Sequence, residues 1–331
     1  MPEAVKNRKD WIDALRALAM ILVIYGHRVP EWSEYFVFTS PIKIPLFFAI
    51  TGYVFSGGNG NARLFFTKLL RTIVIPWLIL TIVPYLAATP IKGVGYLFDH
   101  LKAVLIGEEY WYMPCCIIAE IVWFFILKVF RKTWQIAGAS VILFAGGMAL
   151  YRYQLLSFFM INRAFTVQIF LLIGWLMKRY ENQIMEKAGK GWILITGAAV
   201  YIVLGVLSVF LYPGQTLDVH LNEYYNHAIC QLMIWIGIGI LFIFAAKYIK
   251  KYPRWWVLIG QNTLVIYLLH NYAVKAGVTV FNLIHLPVNR LTNVFLTVAV
   301  TAVCLGISLL INRFIPQMMG KRRKTQRDNT F

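Results

Sequence analysis

The sequence predicts an all-α, multi-pass membrane protein with about ten transmembrane helices in one bundle. Of the 331 residues, 60% are hydrophobic and only 14% are charged, whereas a soluble globular protein usually carries about 25% charged residues. Several long stretches contain no charged side chain at all. The alternating pattern of membrane-spanning β-strands is absent, so a bundle of helices is the predicted fold.

Ten apolar segments are predicted to form the transmembrane helices. In chain order they are 11–29, 44–57, 72–91, 110–127, 133–151, 164–177, 191–217, 228–246, 255–274 and 291–312. Five of them lack Asp, Glu, Lys and Arg and approach or exceed the roughly 20 residues that a spanning helix needs; these are 72–91, 133–151, 191–217, 228–246 and 291–312. The other five are shorter or carry charges.

The first segment has basic residues before an apolar stretch, as a signal peptide does. No small-residue cleavage site follows, and nine further apolar segments do. It is therefore interpreted as an uncleaved first helix. Residues 1–316 are predicted to form the ten-helix domain and residues 317–331 a basic cytoplasmic tail.

The distribution of positive charge predicts that both termini lie in the cytoplasm. With that orientation, 24 of the 32 Lys and Arg residues fall on cytoplasmic loops, helix ends and the tail, as the preference of positive residues for the cytoplasmic side requires. This placement explains the net charge of +18 without a nucleic-acid partner. The tail sequence KRRKTQR is interpreted as a topology anchor or a lipid-binding patch.

The first helix carries three ionisable residues on nearly one stripe. Arg16 and His27 are 11 residues apart, so they lie within roughly 20° of each other and roughly 16 Å apart along the axis. Asp13 lies about one turn before Arg16. These residues mark the two ends of a polar track through the bundle. The alternative is that Arg16 pairs with Asp13 near the cytoplasmic headgroups and His27 merely ends the helix.

Six motifs occur in a fixed order along the chain. They are DALRALAMILVIYGH (13–27), PLFFAITGYVFSGG (45–58), KLLRTIVIPW (68–77), YWYMPCCIIAE (110–120), NRAFTVQIFLLIGW (162–175) and IGQNTLVIYLLH (259–270). Together they resemble the acyltransferase 3 family of membrane acyltransferases, and within it the sugar O-acetylases of the fucose 4-O-acetylase type. Two positions depart from the family pattern, which has Ser at Thr51 and Arg at Lys68.

The resemblance implies an O-acyltransferase in the cell (inner, cytoplasmic) membrane. Such an enzyme moves an acyl group, usually acetyl, from cytoplasmic acyl-CoA to a hydroxyl of a cell-surface glycan or of a lipid-linked sugar. Acetyl-CoA is then a donor substrate, and no permanently bound cofactor is expected. The expected partners are acyl-CoA, the glycan acceptor and membrane lipids.

The resemblance also assigns roles to the ionisable residues. His27 is the expected general base for the acceptor hydroxyl, because imidazole titrates near neutral pH. Arg16 and Asp13 are expected at the cytoplasmic mouth, either steering the donor or as a structural ion pair. Glu120 lies in an otherwise apolar helix and is expected to face the interior, in a catalytic role or in a structural pair with a base such as Arg16.

Three basic residues of one cytoplasmic loop are candidates for binding the phosphates of CoA. They are Arg63, Lys68 and Arg71. Lys68 and Arg71 are three residues apart and share a helical face. Because every cytoplasmic loop is basic, a plain topology signal is the alternative. Lys68 also lacks the bidentate geometry of arginine.

Four residues are candidates for binding the acceptor. Trp111 can stack on a sugar ring or belong to an ordinary aromatic belt. Arg163 can bind the acceptor or stabilise charge on the thioester oxygen. Tyr267 and His270 share one helix face, and His270 is either a second acid or base or a structural histidine.

The four cysteines all lie in apolar segments without CxxC spacing, so no metal site is predicted. A transporter or flippase for a lipid-linked glycan is the alternative function, because a polar track would serve it too. Matching repeats with broken helices are not recognisable in the two halves of the chain, and a sensor module is disfavoured because no fused soluble domain is recognised.

Overall fold

The computed structural model describes residues 9–28, 34–212, 228–287 and 289–320, and every regular element in these ranges is a helix. The α-helices are α1 (Asp10–Gly26), α2 (Glu34–Val54), α3 (Ala62–Leu69), α4 (Ile75–Lys92), α5 (Val94–Ile106), α6 (Tyr112–Val129), α7 (Thr133–Arg152), α8 (Ile161–Thr166), α9 (Gln168–Arg179), α10 (Glu181–Lys187), α11 (Gly191–Leu211), α12 (Ala228–Ile243), α13 (Arg254–Gln261), α14 (Thr263–Leu283) and α15 (Arg290–Phe314). The predicted all-α class is confirmed.

Eight helical segments of the described chain are long and apolar enough to cross a membrane. A further candidate is the segment Phe158–Thr166 joined to Gln168–Arg179, which is bent by 46°. Helix α1 has 17 residues and carries two aspartates in its first turn. The chain is thus a multi-pass membrane protein, and the count of ten spans stays a prediction.

The outer helices present apolar side chains to their surroundings. Ile142 on α7, Ile195 on α11 and Phe210 on α11 are all more than 70% exposed. A helix that is apolar on every face belongs in lipid or in a core. These surfaces therefore face the hydrocarbon of the bilayer.

Helices α1 and α2 form the centre of the bundle. Ala17, Ala19 and Met20 of α1 and Leu46 and Phe48 of α2 are completely buried. Both helices therefore pack against other helices over much of their surface. Asp13, which is 1% exposed, is carried into the protein interior by this central position of α1.

Glycines allow the closest approaches between the central helices. A Cβ added at Gly52 would overlap the backbone of Leu171, and one at Gly174 would overlap the backbone of Ala49. Small residues at such crossings let membrane helices pack backbone to backbone. Helix α9 is therefore held directly against α2.

Two breaks in helices lie next to the central cavity described below. Residues Leu70–Val74 form a π-helical turn between α3 and α4, and Pro76 just after it has no N–H to give to the carbonyl of Thr72. Helices α13 and α14 are separated at Asn262. Single-turn π segments often occur at functional sites.

The first residues of the predicted tail pack against the bundle. Pro316–Met319 form a 3₁₀ turn, and Met318 and Met319 contact the buried cluster around Trp77. Gly320 has a φ of +66° and lies against the backbone carbonyl of Arg71. Residues 321–331, the remainder of that tail, lie outside the described residues.

Candidate functional site

A cavity of about 500 Å³ lies among α1, α2, α3, α6 and α14. This volume falls within the roughly 300–1,000 Å³ of ligand sites. Exposed residues such as Ser56, Lys68 and Gln261 surround its mouth. The mouth lies at the end of the bundle where α1 begins, here called the α1 end. The opposite end, toward His27, is called the far end.

Three charged residues predicted from the sequence share this cavity: Arg16, Lys68 and Glu120. The charges of Lys68 and Arg16 both act on the Glu120 carboxylate. Cys116, one turn before Glu120, places its sulfur 3.8 Å from Oε1 of that carboxylate. The cavity lining therefore combines one carboxylate with two cations.

The predicted pair of Asp13 and Arg16 is present. Nη1 of Arg16 lies 3.2 Å from Oδ1 of Asp13, and Asp13 is only 1% exposed. Nε2 of Gln261 donates to the other carboxylate oxygen at 3.3 Å. Asp13 thus lies behind Arg16 and orients its guanidinium at the edge of the cavity.

Helix α13 holds the first turns of α1 in place. A Cβ at Gly260 would overlap the backbone carbonyl of Asp13, so only glycine permits this approach. Nε1 of Trp256 donates to the carbonyl of Ala14 at 3.0 Å. The position of the Asp13–Arg16 pair is therefore fixed by a segment about 250 residues away in the chain.

A polar network joins α15 to the junction of α13 and α14. Oδ1 of Asn262 accepts from Oγ of Ser308 at 2.7 Å and from Nδ2 of Asn312 at 2.9 Å. Asn262 and Asn312 also line the cavity. Their hydrogen-bonding groups supply polar surface to a bound molecule without adding charge.

The far end of the cavity stops one helical turn short of His27. On α1 the cavity is lined from Arg16 to Val23, and on α14 it is lined as far as Tyr267. Arg16 and Val23 are separated by roughly 10 Å of helix. The cavity thus extends along about two thirds of the predicted polar track between Arg16 and His27. The last third, next to His27, is closed by side chains.

His27 and His270 meet beyond this closure. Their ring centroids are 4.9 Å apart at an angle of 49°. His270 is buried and its Nδ1 lies 2.5 Å from the carbonyl of Tyr267, whereas its buried Nε2 has no hydrogen-bond partner among the described residues. His27 is exposed. Because a carbonyl only accepts, Nδ1 carries the proton and Nε2 presents a lone pair.

Lys43 is a buried cation that none of the sequence-based site assignments included. It is 5% exposed, and its Nζ lies 3.9 Å from the ring centroid of Phe36. The same Nζ lies 3.3 Å from where a Cβ of Gly26 would be. A buried ammonium therefore lies against the residue preceding His27. The sequence feature that could have identified this residue is a lysine between two prolines in an apolar helix.

The structure places the other predicted residues outside the cavity lining. The side chains of Arg63 and Arg71 are exposed on the α1 end, close in sequence to Lys68. Arg163 and Trp111 form a cation–π pair, with the guanidinium carbon 5.1 Å from the ring centroid. Of the predicted donor and acceptor residues, Lys68 and Tyr267 are those that line the cavity.

A second polar cluster, formed by Tyr85, His100 and Glu109, was not predicted from the sequence. Nδ1 of His100 lies 2.6 Å from Oε1 of Glu109, and the hydroxyl of Tyr85 donates to the same carboxylate. The rings of Tyr85 and His100 are stacked with centroids 4.4 Å apart. Tyr110 connects this region to Tyr267, at a centroid distance of 6.4 Å. The residues come from three segments, so no motif reveals them.

Comparison with known proteins gives the family. A family model described as an acyltransferase domain, of the acyltransferase 3 type, matches residues 9–313 of the 331. Searches of the curated proteins and of the solved structures found no match. The match covers all the helices that build the cavity and the histidine pair. The chain therefore belongs to the acyltransferase 3 family and is a membrane acyltransferase.

Proposed function

We propose that this protein transfers an acetyl or other short acyl group from cytoplasmic acyl-CoA to a hydroxyl of a cell-surface glycan or of its lipid-linked precursor. The observation that carries the proposal is the position of the cavity. It opens at the α1 end beside basic residues and ends one turn from the pair of His27 and His270.

The α1 end supports binding of the donor. Lys68 lines the mouth, and Arg63 and Arg71 are exposed nearby on the same segment. Phosphate oxygens form their strongest contacts with such cations. With the phosphates at the mouth, the thin pantetheine arm fills the cavity and directs the thioester toward the far end. Arg16 and Glu120 line its path.

The far end supports the chemistry. The acceptor oxygen attacks the thioester carbonyl carbon, and an imidazole removes the hydroxyl proton. The carbon–sulfur bond then breaks, and the sulfur of CoA takes up a proton to leave as the thiol. His27 is the proposed base. His270 is fixed beside it by the carbonyl of Tyr267, and its open Nε2 faces the same region.

The charge distribution supports the direction of transfer. Basic loops favour the cytoplasmic side for the α1 end, where acyl-CoA is available. The far end then faces the opposite leaflet, where an envelope glycan is present. The cell (cytoplasmic) membrane is accordingly the proposed location.

The proposal is tested with protein purified into lipid nanodiscs. Release of CoA thiol from acetyl-CoA is measured with a panel of methyl glycosides as acceptors, and acetylated product is detected by mass spectrometry. His27→Asn is expected to lower kcat by roughly 10²–10⁴-fold, the usual contribution of a general base.

The matched control is His285→Asn, at an exposed position with a φ of +53°. Asn tolerates this conformation, so the control should retain wild-type kcat. Wild-type kcat in the His27→Asn variant would remove His27 as the base. If the protein transports a glycan but releases no thiol, the proposed transferase function is wrong and the alternative transporter function is favoured.

A further inference from the structure

The cavity ends at the same level on four helices. Its last lining residues toward the far end are Val23 on α1, Ile44 on α2, Tyr112 on α6 and Tyr267 on α14. The next helical turn carries His27 on α1 and His270 on α14. The donor cavity and the histidine pair are therefore separated by a single layer of side chains.

Aromatic rings form most of this layer. The ring centroid of Tyr112 lies 5.9 Å from that of Phe47 and 5.3 Å from that of Tyr267. Tyr267 faces the cavity on one side, and its ring centroid is 5.6 Å from that of His270 on the other. These three rings, Phe47, Tyr112 and Tyr267, are called the aromatic wall.

The two sides of the aromatic wall differ in their access to water. The cavity side is reached from the α1 end, past Lys68. The other side holds His27, which is exposed at the end of α1, and in the proposed orientation this end meets the aqueous phase. The wall closes the cavity on the His27 side, and a donor bound at the mouth closes it on the other side.

Water competes directly with the acceptor in this chemistry. Its oxygen attacks the same thioester carbonyl, the same base removes its proton, and the products are the free carboxylic acid and the CoA thiol. A base that activates a sugar hydroxyl activates water equally well. A transferase must therefore exclude water from the thioester until the acceptor is bound.

We infer that Tyr112 and Tyr267 are positioning residues that withhold the thioester from water and so decide between acyl transfer and hydrolysis. The inference rests on the proposed function. The hydrogen bond that Tyr267 makes to His270 comes from its backbone carbonyl, not from its hydroxyl. The side chain of Tyr267 can turn aside for a bound acceptor while the imidazole stays anchored.

The same geometry makes the variants informative. Truncation of the Tyr267 side chain leaves its carbonyl, and hence the tautomer of His270, unchanged. The substitutions Tyr112→Ala and Tyr267→Ala open the wall, whereas Tyr112→Phe and Tyr267→Phe keep both rings. Tyr153→Ala is the control, since Tyr153 is 74% exposed and is not among the residues that line the cavity.

The experiment measures thiol release from acetyl-CoA by the full-length protein in nanodiscs without any acceptor. Each alanine variant is expected to hydrolyse acetyl-CoA at least about tenfold faster than the wild type, because water is no longer excluded. Tyr153→Ala should stay near the wild-type rate, and each phenylalanine variant, which keeps the ring, should hydrolyse acetyl-CoA more slowly than the alanine variant at the same position. Adding His27→Asn to Tyr267→Ala should abolish the gain.

Two outcomes overturn the inference in distinguishable ways. If the wild type transfers acetyl groups but the alanine variants hydrolyse no faster, the wall has no such role and the proposed function stands. If the wild type releases no thiol with any acceptor, both proposals fail. Phe47→Ala, read in the same assay, replaces any alanine variant that fails to fold.

Discussion

The imidazole rings of His27 and His270 lie 4.9 Å apart, one from the end of the first helix and one from the fourteenth. Nδ1 of His270 is held by the carbonyl of Tyr267, which leaves Nε2 as a buried acceptor. Two imidazoles this close do not carry a positive charge each without mutual repulsion. The structure thus brings one exposed and one buried imidazole together at the far end of the bundle.

This pairing predicts that His270 is needed for turnover. His270→Gln is expected to lower kcat by roughly 10²-fold, within the range of acid–base catalysis, and to leave the KM for acetyl-CoA unchanged. Steady-state kinetics measures this, with His285→Asn as the control, and an unchanged melting temperature of His270→Gln distinguishes the effect from a general loss of fold. An unaltered kcat in His270→Gln would make the residue structural only.

Lys68 is predicted to contribute most to donor binding among the three basic candidates, because its side chain lines the cavity mouth. Lys68→Ala is expected to raise the KM for acetyl-CoA by about tenfold or more, as loss of a charged hydrogen bond does, and Lys68→Arg should preserve it. Arg71→Ala should have a smaller effect. Lys128→Ala is the control, since that residue packs on Phe124 outside the cavity lining. A donor KM that is insensitive to all three residues would place the phosphates elsewhere.

Gly260 is predicted to tolerate no side chain. Gly260→Ala places a methyl group on the carbonyl of Asp13, so it should destabilise the fold by about 1–3 kcal/mol, as overpacking does, and displace Arg16. Thermal unfolding in detergent measures the first effect and the donor KM the second. Gly306→Ala, where a Cβ meets open space, should be neutral or stabilising by about 0.5–1 kcal/mol. Equal melting temperatures for the two variants would contradict the packing argument.

A pH-dependent contribution to stability is predicted at the start of α1. Nζ of Lys9 donates to Oε1 of Glu181 at 2.6 Å and to the hydroxyl of Tyr53 at 2.8 Å. Burial alone would raise the pKa of Glu181, but the hydrogen bonds from Lys9 and Tyr53 outweigh it and lower the pKa. Burial alone would lower the pKa of Lys9, but its bonds to Glu181 and Tyr53 raise it.

The signs of these shifts define the pH range. The contribution of Glu181 is complete above the ordinary carboxyl pKa of about 4.3 and is lost as the pH falls through its lowered pKa. The contribution of Lys9 is complete below its ordinary pKa of about 10.4 and is lost as the pH rises through its raised pKa. Melting temperatures of Glu181→Gln should therefore vary less with pH at both extremes than those of the wild type. If the melting temperatures of the wild type and of Glu181→Gln change with pH in the same way, the Lys9–Glu181 pair does not cause the pH dependence.

The class of the protein was predictable, and candidate site residues could be selected, because both depend on local composition. Apolar segments of suitable length predict membrane helices wherever they occur. The spacing of Asp13 and Arg16 along one helix predicts their ion pair, which the structure contains. Ionisable side chains in apolar segments are candidates for function, so His27 and Glu120 can be selected without knowing which residues pack around them.

The arrangement of these residues was decided only by the tertiary structure. Where helices cross depends on backbone contacts at single glycines, such as Gly260 against Asp13 and Gly174 against Ala49, and no local pattern specifies the partner of a glycine. For that reason the pairing of His27 with His270 and the burial of Lys43 beside Gly26 did not follow from the motifs. The sequence predicted a polar track through the bundle, whereas side-chain packing between distant helices closed that track with the aromatic wall.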